Sequence, residues 1–127
     1  MLTVQTSPGE FLDKLTILEI KSERMHDAAK LVNVRRELEL LRATWAASPL
    51  AARDVAAPVA DLKAVNEALW DIEDRIRAKE AAQAFDAEFV ELARSVYRTN
   101  DRRAEIKREL NVALGSDLIE EKSYEAY

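Results

Sequence analysis

The sequence predicts an all-α domain: an antiparallel bundle of about four helices that ends in a long C-terminal helical hairpin. Three observations carry this. Gly and Pro are scarce, at 2 and 3 copies in 127 residues, where a β-rich fold would need many turns. Apolar residues recur at alternating spacings of three and four along the chain. Helix-boundary residues stand at the ends of those segments: Ser7 and Pro8 before the first, Asp86 before the last, Gly115 behind it. The length suits a single domain, 1–127, with one core.

Residues 1–6 alternate weakly at Leu2 and Val4 and read as an extended arm. In "SPGE", Ser7 is an N-cap, Pro8 takes the first helical position and Glu10 completes a capping box. The first helix then runs from about Pro8 to about Met25, with a core stripe of Phe11, Leu15, Leu18 and Met25 flanked by Leu12. Ile17 and Ile20 fall on roughly the opposite face. A helix apolar on two sides is either sandwiched in the bundle or used in a second interface. Asp27 is the N-cap candidate for the second helix, which carries Leu31, Val34, Leu38, Leu41 and Trp45 in a coiled-coil-like seam.

Residues 46–60, with Pro49 and Pro58, form the one linker-like connection. The third helix is expected to start near Asp61 and shows Leu62, Val65, Leu69, Ile72 and Ile76. A single helix over 61–114 would be ~80 Å long, too long for a compact domain. A turn is therefore expected at 82–86, with Asp86 capping the fourth helix and Phe85 and Val90 as a hydrophobic staple. The fourth helix reaches Leu114, and Gly115 closes it. In the tail, 115–127, one helical turn capped by Ser116 or Asp117 is expected, with Tyr124 and Tyr127 packing back on the bundle.

Composition narrows the chemistry. The net charge is −5 and the pI about 5.0, which disfavours nucleic acid as a partner. The basic run Arg98, Arg102, Arg103, Lys107, Arg108 is interleaved with Asp101, Glu105 and Glu109, so most of its charges pair on a solvated face. Having no cysteine removes disulfides, thiolate metal sites and Cys nucleophiles. One histidine removes His-rich metal sites. No signal peptide or membrane span is apparent, so the expected location is the cytoplasm.

One stretch breaks the pattern. In "RSVYRTNDRRAEIKRE", residues 94–109, the apolar seam of Phe89, Leu92 and Val96 resumes at Ile106 and Leu110. Between them the seam positions are Thr99 and Arg103, with Asn100 alongside. An antiparallel hairpin turning near residue 83 brings Thr99, Asn100 and Arg103 opposite Leu62, Asn66 and Glu67. Arg103 is then expected to pair with Glu67 or Asn66. A buried charge is costly unless paired, so one reading is a layer that fixes helix register. A second is an anion-binding pocket, because a guanidinium suits carboxylate or phosphate. A third is plain solvent exposure.

The acidic pairs Asp71 with Asp74, and Glu88 with Glu91, have the spacing of Mg²⁺-holding carboxylates. A chain with 24 acidic residues yields such pairs by chance, and they read as solvated faces. Glu23 and His26 have the Glu-x-x-His spacing of di-iron bundles, but no second copy exists. No metal site and no cofactor are expected.

The strings "PGEFLDKLTILEIKSERM", "NEALWDIEDRIRAKE", "FVELARSVYRTNDRRAEIKREL" and "EEKSYEAY" resemble an uncharacterised family of short bacterial proteins, a domain of unknown function. The likeness spans Pro8 to Tyr127. It implies a bacterial, cytoplasmic, mainly helical stand-alone domain and brings no catalytic residue with it. Separately, residues 12–24 are similar to the opening helix of all-helical chorismate mutases. That likeness implies carboxylate-gripping candidates at Lys14, Lys21, Arg35 and Arg103.

Two functional expectations follow. The first is a binding or assembly module that self-associates through helical faces, with Ile17, Ile20 and Trp70 at the interface. The second is a small helical enzyme or anion-binding protein centred on Asn66, Glu67, Asn100 and Arg103, taking a small phosphate or carboxylate ligand. They separate on one point: a site exists if Arg103 lacks a protein partner in a pocket.

Overall fold

The computed structural model describes residues 1–127. Four helices form the fold: α1 (Pro8–Arg24), α2 (Ala28–Ala47), α3 (Ala56–Ala81) and α4 (Ala87–Ala113), with a 3-10 turn at Pro49–Ala52. No strand is present.

α1 lies in the middle. One face packs on α2 through Leu15, Leu18, Val34 and Leu38. The opposite face packs on the α3–α4 hairpin through Leu12, Leu62, Ile106 and Leu110. This is the sandwiched arrangement that a helix apolar on two sides permits. Ile20 is accordingly buried at 1% exposure within the monomer, so it is not the exposed interface residue the sequence suggested. Trp45 on α2 stacks on Phe11 of α1, with ring centroids 6.0 Å apart.

Local signals set the helix ends. Ser7 Oγ accepts from the Glu10 N–H at 3.2 Å, and Asp27 caps α2 by accepting from Lys30. The Glu10 carboxylate reaches Lys107 on α4 instead of closing a capping box. α3 begins at Ala56, five residues before the expected Asp61. Pro58 sits inside its first turn, where backbone N–H groups have no helical acceptor, so the missing donor costs nothing. The hairpin turn falls at 82–86 as expected, with Gln83 at φ +54 and Asp86 accepting from the Phe89 N–H at 2.9 Å. Phe85 meets Phe89 edge-on rather than stapling to the exposed Val90.

α4 closes at Gly115, φ +67, with Ser116 N–H donating to Asn111 O and Gly115 N–H to Val112 O. The tail then runs back along α4 without forming the expected helical turn. Glu120 pairs with Lys107 and Glu121 with Arg108. Further on, the Tyr127 ring packs against Tyr97 at 5.0 Å and its hydroxyl donates to Asp101. Acidic side chains on the strap and basic ones on α4 dictate this path; nothing favours a helix there.

The hairpin is longer than the helix it holds. α3 spans ~39 Å and α1 ~25 Å at 1.5 Å per residue. Gly9 meets Asn111 at one end of α1, and Arg24 meets Asp71 at the other. Beyond that level the hairpin helices hold only each other, through Arg75–Glu88 and Lys79–Asp86.

Gly9 sits close against α4. Its N–H donates to Asn111 Oδ1 at 2.7 Å, and a Cβ there would lie 2.5 Å from the Lys107 carbonyl. Backbone cannot move aside as a flexible side chain can. Gly9→Ala should therefore destabilise the bundle by roughly 1–3 kcal/mol by overpacking, read from urea unfolding midpoints. Ala is otherwise the better helix former, so an unchanged or raised midpoint would show that α1 does not sit this close to α4.

Candidate functional site

Polar residues line the α1 face that meets the hairpin. Asp13, Thr16, Asn66, Lys107 and Asn111 are all buried. On α4, Arg103, Lys107 and Asn111 recur every fourth residue and form one stripe. On α1, Gly9, Asp13 and Thr16 face it.

Asn66 is the node. Its Nδ2 donates to Asp13 Oδ1 at 2.8 Å and to Thr16 Oγ1 at 3.0 Å. Thr16 Oγ1 donates in turn to the Asp13 carbonyl at 2.8 Å. Asn66 Oδ1 accepts from Arg103 Nη1 at 3.3 Å. Every polar group of the amide is used, and no buried side-chain N or O in the protein lacks a partner.

Lys107 is the second node. Its Nζ lies 2.7 Å from Glu10 and 3.1 Å from Glu120, with the lysine side chain 10% exposed. Burial pulls its pKa down, but the hydrogen bonds it donates to Glu10 and Glu120, with the nearby Asp13 charge, outweigh this and raise it. The Glu120 carboxyl is held below its usual value, chiefly by its hydrogen bond from Lys107.

Beside the Asn66 node the seam opens into a groove of about 400 Å³ between α1, α3 and α4. Ile17, Ile20, Leu69 and Trp70 form its apolar wall. Lys21 and Arg103 bring positive charge, and Glu73, Asp74 and Arg77 stand on its rim. Arg77 is bonded to Glu73 at 3.2 Å. Neither Lys21 nor Arg103 has a carboxylate within ion-pair distance. Arg103 does have a protein partner, Asn66, which is the contact the sequence assigned to a register-fixing layer; what it lacks is an ion pair.

Of the expected binding residues, Asn66 and Arg103 meet across the hairpin, in the register the turn position implied. Glu67 does not join them. It faces Arg24 at 3.6 Å, because α1 reaches the outer edge of α3 there and supplies a nearer cation. Asn100 is half-buried, forms no side-chain hydrogen bond and is not part of the groove wall. Ile17 and Trp70 share the groove. Among the carboxylate-gripping candidates, Lys14 pairs with Glu37 and Arg35 is exposed on α2, whereas Lys21 and Arg103 come together. The acidic pairs are dispersed into surface bridges, Asp71 to Arg24 and Glu88 to Arg75 and Lys79.

Asp13, Thr16, Lys107 and Asn111 were not singled out from the sequence as site residues. Their signal was present but weak: a polar i, i+3 pair inside the apolar face of the first helix, and the 103–107–111 stripe.

Comparison with known proteins gives the family but no activity. The chain belongs to DUF6165, a family of unknown function whose match covers residues 2–127. No curated protein and no solved structure matches it.

The two neighbours Asn66 and Glu67 should behave oppositely on truncation. Asn66→Ala strands Asp13 and Thr16 in the interior and should cost roughly 1–3 kcal/mol. Glu67→Ala removes a long, half-exposed ion pair and should cost less than about 1 kcal/mol. Urea unfolding of the two variants separates them; equal losses would mean the node is not dry.

Acid should undock the tail. A carboxyl with a depressed folded pKa contributes stability above its ordinary value and loses it as pH falls through the folded one. Lys107, raised, keeps its contribution below the ordinary lysine value and loses it only on the alkaline side. Strap docking is therefore maintained through neutral pH. Amide exchange in residues 117–127 should accelerate below about pH 4 while helical circular dichroism persists. Exchange independent of pH, once corrected for intrinsic rates, would remove Glu120 as the anchor.

Proposed function

We propose that this protein is a small binding module whose site is the groove between α1, α3 and α4, and that it takes an anionic group, a carboxylate or a phosphate. One observation carries the reading. Arg103 is half-buried, its guanidinium is held by Asn66, and no acidic side chain forms an ion pair with it, although the chain has more acidic than basic residues, 24 to 19. Exposed cations such as Arg35 and Arg36 are solvated and need no partner. A guanidinium partly withdrawn from water is different, because desolvation penalises it until an anion arrives. Lys21, on the same groove and also unpaired, adds a second positive charge. The proposal includes the bacterial, cytoplasmic setting that the family resemblance implies; no helix is long and apolar enough to cross a membrane.

Self-association through helical faces is the competing reading. What supports it is not Ile20 but α2, which leaves Val32 and Leu40 exposed on the side away from α1. Light scattering decides it: a dimer mass that falls to the monomer mass in Val32→Glu, Leu40→Glu supports assembly, and a monomeric wild type at high concentration ends it.

The anion reading predicts a separation of binding from stability. Calorimetry with acetate, phenylacetate, phenyl phosphate and inorganic phosphate should find at least one anion whose affinity drops tenfold or more in Arg103→Leu. Arg103→Gln, which keeps a donor for Asn66 Oδ1, should lose the same affinity and unfold within about 1 kcal/mol of wild type, because it removes the charge without stranding the amide oxygen. Large destabilisation with no anion binding in the wild type would make Arg103 a register residue only.

A further inference from the structure

We infer that the groove is built for a monocarboxylate carried on an aromatic or branched apolar body, rather than for an inorganic anion or a phosphate. This rests on the anion-binding reading and narrows it.

Charge is the first argument. Glu73 and Arg77 neutralise each other on the rim. Of the side chains lining the groove, this leaves Lys21 and Arg103 against Asp74, an excess of one positive charge at the wall, with the Asp13 carboxylate behind it on Asn66. So small an excess suits a monoanion. A phosphate dianion would leave surplus negative charge facing Asp74.

Geometry is the second. Arg103 Nη1 is fixed on Asn66 Oδ1, and Asn66 is itself fixed by Asp13 and Thr16. One N–H of the guanidinium is thus engaged before any ligand arrives, and the remaining N–H groups stay available to receive an oxyanion such as a carboxylate in two-point contact.

The wall is the third. Ile17, Leu69 and Trp70 are half-buried, with Ile20 beneath them. A bare ion on Arg103 would leave that wall wet, whereas an apolar body on the carboxylate would cover it. Trp70 offers a face for stacking and a spectroscopic reporter, because the other tryptophan, Trp45 on α2, is engaged with Phe11 of α1.

The test uses the whole chain and four probes: acetate, phenylacetate, inorganic phosphate and phenyl phosphate, followed by calorimetry and tryptophan fluorescence. Phenylacetate should bind at least tenfold tighter than acetate and than either phosphate. Its fluorescence change should persist in Trp45→Phe and vanish in Trp70→Phe. Arg103→Leu and Arg103→Gln should each abolish the binding while retaining cooperative unfolding, and Asp74→Asn should improve phenyl phosphate relative to phenylacetate. Phosphate binding that matches phenylacetate and depends on Arg103 overturns this inference and leaves the anion site standing. Phenylacetate binding indifferent to Arg103 overturns it as well. Absence of Arg103-dependent binding for all four probes overturns both.

Discussion

Asn66 binds three partners at once, and through it α1 buries Asp13 and Thr16 against the hairpin. The hairpin-facing side of α1 is half apolar and half polar. Leu12 enters the core there, and Asp13 and Thr16 must follow it out of water because they share the same turns of helix. A stranded buried polar group costs roughly 1–3 kcal/mol, against a total stability of about 5–15 kcal/mol for a domain of this kind. One amide with two donors and an accepting oxygen resolves the problem for both α1 residues. It also fixes register, since a shift of α1 by one residue along α3 would separate Asn66 from both.

Arg103 is what that solution leaves over. Asn66 Oδ1 needs a donor, and Arg103 supplies one of its five N–H groups. A neutral donor at this position would satisfy the amide as well. An arginine brings a charge as well as a donor, and the carboxylates around it are engaged elsewhere, Asp13 with Asn66, Glu67 with Arg24, and Glu10 and Glu120 with Lys107. The same interaction that orders the bundle therefore holds a cation without an ion pair in a groove that also has an apolar wall. Structure and candidate site are one construction, and the sequence oddity at 94–109 is its visible edge.

Much of this was legible in the chain. Ser7, Asp27, Asp86 and Gly115 mark helix ends because capping is local chemistry, decided within a few residues. The hairpin register followed from the turn position and gave the Asn66–Arg103 contact. What escaped is what depends on a distant partner. Gly9 reads as part of a capping motif, yet its role is to let the α4 backbone approach. Glu10 reads as half of a capping box until Lys107 appears beside it. Ile20 reads as a free apolar face until the hairpin covers it. Glu67 reads as the best partner for Arg103, and only the position of Arg24 shows where that carboxylate goes. The start of α3 was misjudged for another reason: a proline in the first turn of a helix looks, in sequence, like a proline before it.

Lys107 ties the remaining parts to this seam. Its ammonium is nearly enclosed and joins three segments far apart in sequence: the first turn of α1 through Glu10, α4 itself, and the strap through Glu120. Burial alone would favour the neutral amine; two carboxylates, with Asp13 behind them, keep it charged. The strap is thus more than a tail lying on a helix. Its Glu120 completes the charge balance of a buried lysine whose other partner, Glu10, sits beside the Gly9–Asn111 contact where α1 meets α4. Loosening the strap would take one of its two ion-pair partners from Lys107, next to the Gly9 contact with the α4 backbone. The N-terminal end of α1 is held by charge from outside, and its middle by Asn66 from within.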